Sequence, residues 1–212
     1  SAGSLLQDDV AWTDEDRRQF LRTIEAEARR LNRLVGNLLD MSRIEAGILR
    51  PEKGWYELGS LVREVVGRLE SLAGPGRLVL DVPDEMPPLL FDYMEIDQVL
   101  TNLIENAIRH TPPESEIRVV ARMTPEAVRV EVIDSGPGIR PENLARLFEP
   151  FYRRDAGKGS PHGSGLGLAV AKGLVAAHGG TLRVENRPEG GALFVLELPI
   201  TGDVPAGSPL PA

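Results

Sequence analysis

Two asparagines spaced one helical turn apart carry the first chemical signal in the sequence. Residues 96–109 repeat apolar side chains at helical spacing, so Asn102 and Asn106 are predicted to share one face of a helix. Arg109 and His110 follow on that face. Two carboxamide oxygens beside a cation suit a magnesium-bound polyphosphate, because Mg²⁺ prefers hard oxygen ligands. The pattern also fits an ordinary polar surface, so this segment alone leaves both interpretations open.

An aspartate at the end of a predicted strand carries the second signal. Asp134 follows the alternating segment 127–133 and precedes Ser-Gly-Pro-Gly-Ile. Gly136 and Gly138 permit tight backbone turns, and Ile139 adds an apolar side chain beside them. A carboxylate in this place can accept a hydrogen bond from an exocyclic amine such as that of adenine. An ordinary turn closed by the aspartate side chain is the alternative.

A glycine-rich run that opens a predicted helix carries the third signal. Gly163, Gly165 and Gly167 lie at the start of the helix predicted over 166–177. Glycines let backbone N–H groups approach a phosphate, and a helix N-terminus favours negative charge. The run is not a dinucleotide-binding fingerprint, because Leu168 takes the sixth place and no strand precedes it, and a P-loop motif is absent. A flexible loop before a helix is the alternative reading.

The stretch between the second and third signals is basic, although the whole chain has a net charge of −8. Residues 135–165 contain five Lys or Arg and three Asp or Glu. A positive segment over an acidic domain is a sensible lid for a nucleotide. A solvated loop with unremarkable charges is the alternative.

Composition excludes several kinds of protein. The 212 residues contain no cysteine, which removes disulfide scaffolds, thiolate zinc sites, iron–sulfur clusters and cysteine nucleophiles. The acidic balance argues against general nucleic-acid binding. No apolar run approaches the roughly 18 residues that a membrane span needs, so we expect no membrane contact by this chain.

The surrounding elements predict an α+β, two-layer α/β sandwich and not a doubly wound parallel sheet. A hairpin is predicted from 117–122 and 127–133 around a three-residue turn. The other predicted strands cover 55–58, 77–82, 89–93, 181–185 and 192–199, and the predicted helices cover 61–72, 96–109 and 166–177.

The first fifty residues predict one long helix over 14–46. Thr13 and Asp16 form a capping-box pattern at its start, and Gly47 ends it. At 1.5 Å per residue the helix is roughly 50 Å long, and its wide apolar face favours a helical bundle. A long surface helix packed on its own domain is the alternative. The heptad seam consists of Leu21, Ile24, Ala28, Leu31, Val35 and Leu38.

Together these segments resemble the catalytic part of bacterial two-component sensor histidine kinases, in the GHKL (Bergerat) ATPase superfamily. The four motif boxes of that superfamily are matched in order, and the resemblance spans 14–199. They are the N box at 102–107, the G1 box at 134–138, the F box at 147–153 and the G2 box at 163–168. The resemblance implies the Bergerat fold, preceded by the second helix of a dimerisation and histidine-phosphotransfer hairpin. Residues 33–47 and 185–191 look most like the KdpD subfamily.

The resemblance also implies roles for individual residues. Asn102 and Asn106 would hold Mg²⁺ that bridges the ATP phosphates, and with Arg109 they form the expected catalytic set. His110 would stack on adenine, and Asp134 would bind its amino group. The expected nucleotide-binding set is completed by Gly136, Gly138, Ile139, Phe151, Arg153, Arg154, Gly163, Gly165, Leu166, Gly167 and Leu168.

The activity implied is phosphotransfer in a homodimeric parent. That parent would transfer the γ-phosphoryl group of ATP to its own histidine and then to an aspartate of a response regulator. Relatives that hydrolyse ATP with water have a glutamate where Asn102 stands, which favours phosphotransfer over hydrolysis. Two alternatives stay open: an ATPase that drives a conformational cycle, and a non-catalytic docking or dimerisation module.

The histidines depart from the family pattern. None of His110, His162 and His178 lies in the H-[ED]-x-R-x-P context of the phosphoacceptor. We therefore expect the acceptor and the first hairpin helix upstream of Ser1, and a fragment unable to phosphorylate itself. The expected organisation is a partial hairpin at 1–50, an ATP-binding domain at 51–200 and a disordered tail at 201–212. A cytoplasmic fragment of this kind is compatible with an inner-membrane parent.

Overall fold

The computed structural model describes residues 13–152 and 164–200. The predicted tail and residues 153–163 of the predicted lid lie outside these residues. The helices are α1 (Asp14–Glu45), α2 (Leu58–Ala73), α3 (Tyr93–His110), α4 (Pro141–Leu144) and α5 (Gly167–Ala177). The strands are β1 (Gly54–Tyr56), β2 (Leu78–Asp81), β3 (Leu89–Phe91), β4 (Ile117–Met123), β5 (Ala127–Asp134), β6 (Thr181–Asn186) and β7 (Ala192–Pro199).

Five strands form one mixed sheet in the order β2-β4-β5-β7-β6. Among the strand pairs that the structure describes, β2–β4 alone is parallel, and the predicted β4–β5 hairpin pairs Ile117 with Asp134 at its open end. Strands β1 and β3 form a separate antiparallel pair. The mixture of hairpins and helices confirms the predicted α+β class.

The sheet and the helices α2, α3 and α5 enclose one hydrophobic core, as a two-layer sandwich requires. Strand β5 shows the pattern most simply, because its residues alternate between buried and half-buried along the whole strand. In α3 the apolar residues predicted to face inward are all buried: Val99, Leu100, Leu103, Ile104 and Ala107. The helix that carries Asn102 and Asn106 is therefore fixed by its opposite face.

Helix α1 begins and ends where the sequence predicts. The backbone N–H of Asp16 donates to Thr13 Oγ1 at 3.1 Å, and Asp16 Oδ2 accepts from Thr13 N–H at 3.2 Å, which completes the capping box. Gly47 has φ +65°, a conformation that favours glycine after a helix. The seam residues Leu21, Leu31, Val35 and Leu38 are more than half exposed. None of the described helices is both long enough and apolar enough to cross a lipid bilayer.

The C-terminal half of α1 docks on the sandwich. Ile44 packs so closely on α5 that a Cβ atom at Gly173 would lie 2.5 Å from its Cδ1. Gln98 of α3 donates through Nε2 to Asn37 Oδ1 at 3.2 Å and to Asp40 Oδ2 at 2.8 Å. One face of this half thus packs on its own domain, while the seam residues of both halves stay exposed.

A buried arginine closes the far end of α3. The guanidinium and Nε of Arg77 donate only to backbone carbonyl oxygens in the described structure, and no carboxylate neutralises them. Hydrogen bonds to charged groups are stronger than neutral ones, so Arg77 fixes the segment that follows the N box. The acceptors belong to Ala73, Ile108, Thr111, Pro112 and Ser115.

Two helices, α2 and α3, start earlier than the sequence predicts. The strand predicted over 89–93 stops at Phe91, because Asp92 caps α3 by accepting from the N–H groups of Met94 and Glu95 at 3.0 and 3.1 Å. Helix α2 starts at Leu58, where the sequence predicted the end of a strand. The short helix α4 was not predicted.

Candidate nucleotide site

A cavity of about 350 Å³ opens between α1, the C-terminal half of α3, the end of β5 and the start of α5. Its lining gathers residues from all three chemical segments of the sequence. The predicted site residues that line it are Asn102, Asn106, Arg109, His110, Asp134, Gly138, Ile139, Gly165, Gly167 and Leu168. Residues that are distant in the sequence therefore meet in one place.

Six predicted site residues are not part of this lining. Arg153, Arg154 and Gly163 lie outside the described residues. Gly136 supports the cavity from behind Asp134, and Leu166 is buried.

Phe151 is the sixth, and its side chain is 64% exposed. Its backbone has φ +62°, and its N–H donates to the carbonyl of Gly165 at 3.0 Å, which turns the ring outward. Tyr152 and Leu147 line the cavity instead.

Asn102 joins α3 to the start of α5. Its Nδ2 donates to the carbonyl oxygen of Gly167 at 3.1 Å. A Cβ atom at position 167 would lie 3.2 Å from Asn102 Oδ1, so glycine permits this close approach. The contact places one of the paired carboxamides beside a helix N-terminus, where negative charge is favoured.

Asp134 is held rigidly, with one oxygen left over. Its Oδ1 accepts from the backbone N–H groups of Gly136 at 2.8 Å and Ala192 at 3.1 Å. Its Oδ2 accepts no hydrogen bond from any residue that the structure describes. The side chain is only 5% exposed and lines the cavity. A ligand amine that reaches Oδ2 would therefore exchange a hydrogen bond to water for one to an acceptor with a fixed position.

Two glycines make room for the Asp134 backbone and its turn. A Cβ atom at Gly191 would lie 1.9 Å from the carbonyl oxygen of Asp134, and Gly191 has φ +85°. A Cβ atom at Gly136 would lie 2.9 Å from the carbonyl oxygen of His110. The close approaches bring β7, β5 and the end of α3 together around the cavity.

Asn186 is a supporting residue that the sequence analysis did not single out. Its Oδ1 accepts from Ile139 N–H at 2.8 Å, and its Nδ2 donates to the Ile139 carbonyl at 2.6 Å. The side chain thus holds the turn after Asp134 as a neighbouring strand would. Its signal was the 185–191 segment, which was used only for the family resemblance.

Helix α1 also lines the cavity, which the sequence did not predict. Arg30, Arg33, Leu34 and Asn37 contribute from its middle. A contact between residues about seventy positions apart leaves no local periodicity, so only the folded structure reveals it.

A buried histidine and a glutamate meet at the other end of α3. Nε2 of His178 accepts from Asp92 N–H at 2.9 Å, and its Nδ1 donates to the Leu174 carbonyl at 2.8 Å, which fixes the uncharged tautomer. Burial lowers the pKa of His178 and raises the pKa of Glu95 to about 7. Glu95 Oε2 lies 3.8 Å from His178 Nδ1, so an uncharged ring faces a carboxyl whose ionisation burial opposes.

Oxygen donors near the paired asparagines suit magnesium. The carboxamides of Asn102 and Asn106 and the carboxylate of Glu105 line one wall. The described residues contain no cluster of three or more His, Cys, Asp or Glu side chains that could enclose a metal alone. Mg²⁺ typically takes one or two protein oxygens and completes its shell with phosphate and water, so this donor set fits it when a polyphosphate is present.

Comparison with known proteins agrees with this geometry. Residues 91–202 match the model of the histidine kinase-, DNA gyrase B-, and HSP90-like ATPase family, and residues 1–47 match the His Kinase A (phospho-acceptor) domain. The sensor protein KdpD of Mycobacterium tuberculosis is 37% identical over 213 residues, which cover 97% of this chain and 24% of that protein. KdpD of Escherichia coli K12 is 38% identical over 168 residues, or 79% of this chain and 18% of that protein. The chain thus spans about a quarter or less of these relatives.

Solved structures show the same fold. The Acinetobacter baumannii histidine kinase AdeS is 25% identical with a TM-score of 0.70, covering 95% of this chain and 92% of AdeS. Full-length ShkA, solved in complex with AMPPNP, is 27% identical with a TM-score of 0.74, covering 94% of this chain and 42% of ShkA. From motif order, cavity geometry and these matches, the chain belongs to the family of histidine kinase-, DNA gyrase B- and HSP90-like ATPases, and its N-terminal segment is similar to the phospho-acceptor domain of histidine kinases.

Proposed function

We propose that this chain binds magnesium-ATP in the α3–α5 cavity as the catalytic region of a two-component sensor histidine kinase. The observation that carries the proposal is the convergence of Asn102, Asn106 and Asp134 on one cavity at the N-terminus of α5. An amine acceptor at one end and oxygen donors beside a helix N-terminus at the other match the two ends of an adenine nucleotide.

Asp134 selects the base. Its Oδ1 is occupied by two backbone N–H groups, so its position does not depend on the ligand. Its Oδ2 remains available to accept a hydrogen bond from the adenine amino group. Ile139, 6% exposed, supplies an apolar wall next to it, and His110 lines the same cavity for stacking on the ring.

Asn102, Asn106 and Arg109 hold the phosphates. The two carboxamide oxygens would hold Mg²⁺, which when bound draws negative charge from the phosphate oxygens. Arg109 donates to those oxygens, and the first N–H groups of α5 add a positive field. The residues of the chain thus act by positioning and electrostatics, which dominate phosphoryl transfer.

The proposed reaction of the whole protein transfers the γ-phosphoryl group to a histidine. The bond from the γ-phosphorus to the β–γ bridging oxygen breaks, a bond to an imidazole nitrogen forms, and ADP leaves. The phosphoryl group then passes to an aspartate of a response regulator. The exposed seam of α1 supports a homodimeric parent, since such a stripe of apolar residues suits a second helix.

Isothermal titration with AMPPNP and Mg²⁺ tests the binding step on this chain. We expect one nucleotide per chain, with adenosine binding more weakly because it lacks the phosphates. Absence of binding at millimolar AMPPNP would overturn the proposal and favour a docking module without nucleotide.

One observation favours a second candidate function, the hydrolysis of ATP. Glu105 places a carboxylate on the cavity wall, where it could accept a proton from water. A steady release of phosphate by the purified chain that disappears in Glu105→Gln would favour this candidate. Negligible turnover with normal AMPPNP binding would favour the phosphotransfer function.

A further inference from the structure

Helix α1 runs antiparallel along the face of α3 that carries the two asparagines. Near the start of α3, burial raises the pKa of Glu95, and the charge of Arg43 on α1 opposes that rise. One turn further along α3, Gln98 is hydrogen-bonded to Asn37 and Asp40. Progress along α3 therefore corresponds to moving backwards along α1.

The same register brings two arginines to the paired asparagines. One turn beyond Gln98 on α3 is Asn102, and one turn before Asn37 on α1 is Arg33. The next step pairs Arg30 with Asn106. The cavity lining agrees with this register, because it contains all four side chains.

Arg33 contributes no polar contact to the described structure. It makes no hydrogen bond or ion pair with any described residue, although it lines the cavity. On the sandwich side, Arg109 is the guanidinium that lines this cavity among the described residues. A triphosphate with one Mg²⁺ keeps net negative charge, so a second cationic wall complements it.

We infer that Arg33, with Arg30 beside it, binds the nucleotide phosphates from α1, so that a bound nucleotide links α1 to the sandwich. The inference rests on the proposed function and adds a second wall to that site. A planar guanidinium can bind two phosphate oxygens at once, which lysine cannot do. The linkage is reciprocal: nucleotides that reach Arg33 also strengthen the docking of α1.

The first test compares ligands with and without phosphates in Arg33→Gln. Titration with Mg-ADP should show about tenfold weaker binding, the usual loss for a charged hydrogen bond. Adenosine should bind unchanged, because it does not reach Arg33. Arg22→Gln is the matched control, since Arg22 is an exposed residue of α1 away from the cavity, and it should leave both affinities unchanged.

A second variant tests whether the docking of α1 positions Arg33 at the nucleotide phosphates. Gln98→Ala removes the hydrogen bonds to Asn37 and Asp40 without touching the cavity lining. This variant should bind Mg-ADP more weakly and adenosine with unchanged affinity. When Gln98→Ala is already present, Arg33→Gln should reduce the affinity for Mg-ADP by a smaller factor, because the two substitutions act through one contact.

The outcomes separate this inference from the proposed function. If the unaltered chain binds Mg-ADP but Arg33→Gln leaves its affinity unchanged, the inference is wrong and the function stands. If Arg33→Gln weakens adenosine and Mg-ADP equally, Arg33 acts through the fold and the inference is also wrong. If the unaltered chain binds neither ligand, the proposed function itself fails.

Discussion

In the N-terminal half of α3 the polar side chains are bonded to neighbouring elements, whereas in the C-terminal half several face the cavity without a described protein partner. Asp92 caps the helix and also accepts from Glu52 N–H at 2.7 Å, and Gln98 is bonded to α1. Asn106 and Arg109 make no hydrogen bond or ion pair with any described residue. One helix thus uses its first half to assemble the fold and keeps its second half for a ligand.

The largest expected effect tests the C-terminal half. Asn106→Ala should weaken AMPPNP binding in Mg²⁺ by roughly a hundredfold, because a metal ligand is lost. Binding without Mg²⁺ should change little, which titration in EDTA would show. Asn32→Ala on the exposed surface of α1 is the matched control. Equal affinity of Asn106→Ala and the unaltered chain for Mg-AMPPNP would contradict the role given to Asn106.

The next effect tests base selection at Asp134. In Asp134→Asn the amide oxygen can still accept from Gly136 and Ala192 N–H, so the turn survives. The amide NH₂ then faces the adenine amino group, and because both groups are donors, no hydrogen bond forms between them. Affinity for an ATP analogue should fall about tenfold or more. A GTP analogue presents a carbonyl there and should lose less, so an equal loss for both would refute the assignment.

A smaller effect tests the N-terminal half through pH. Burial raises the pKa of Glu95 from 4.5 to about 7. Its contribution to the free energy of unfolding is fully present below pH 4.5 and is lost as the pH rises through about 7.

Glu95→Gln keeps the neutral form at every pH. It should be more stable than the unaltered chain at pH 8 by on the order of 1–2 kcal/mol, and similar at pH 4.5. Urea titrations at both values measure this, with the exposed Glu114→Gln as control. A difference independent of pH would show that the carboxylate is not buried as described.

The smallest effect concerns an exposed ion pair of α3 that lies outside the cavity lining. Arg68 is paired with Asp97 at 2.8 Å, but its side chain is 46% exposed. Arg68→Gln should change the free energy of unfolding by less than about 1 kcal/mol, as exposed ion pairs do. Nucleotide affinity should stay the same in titration. A loss of affinity there would break the comparison, because it would spread function beyond the face that meets α1 and α5.

Local patterns predicted much of this arrangement. Helical periodicity fixes the relative placement of Asn102 and Asn106, and strand alternation places Asp134 at the end of β5. These signals lie within one element, so they survive in the sequence alone. The capping box of Thr13 and Asp16 is local for the same reason.

What escaped prediction depends on contacts across the chain. Asn186 holds Ile139 from 47 residues away, and Gly191 is required by the nearby carbonyl of Asp134. The docking of α1 depends on Gln98 meeting Asn37, which no single-element pattern encodes. The outward turn of Phe151 follows from a positive φ at a residue whose type gives no warning of it.

The carbonyl cluster around Arg77 has a consequence for cooperativity. One side chain bonds the last turn of α2, the last turn of α3 and the chain entering β4. Opening any one of these parts removes acceptors from the same buried guanidinium, so we expect them to open together. Amide protons at the end of α3 should therefore exchange with solvent together with those of α2, as a single unfolding unit. On this expectation, the ligand-facing end of α3 has the stability of the whole sandwich and does not fray like an ordinary helix terminus.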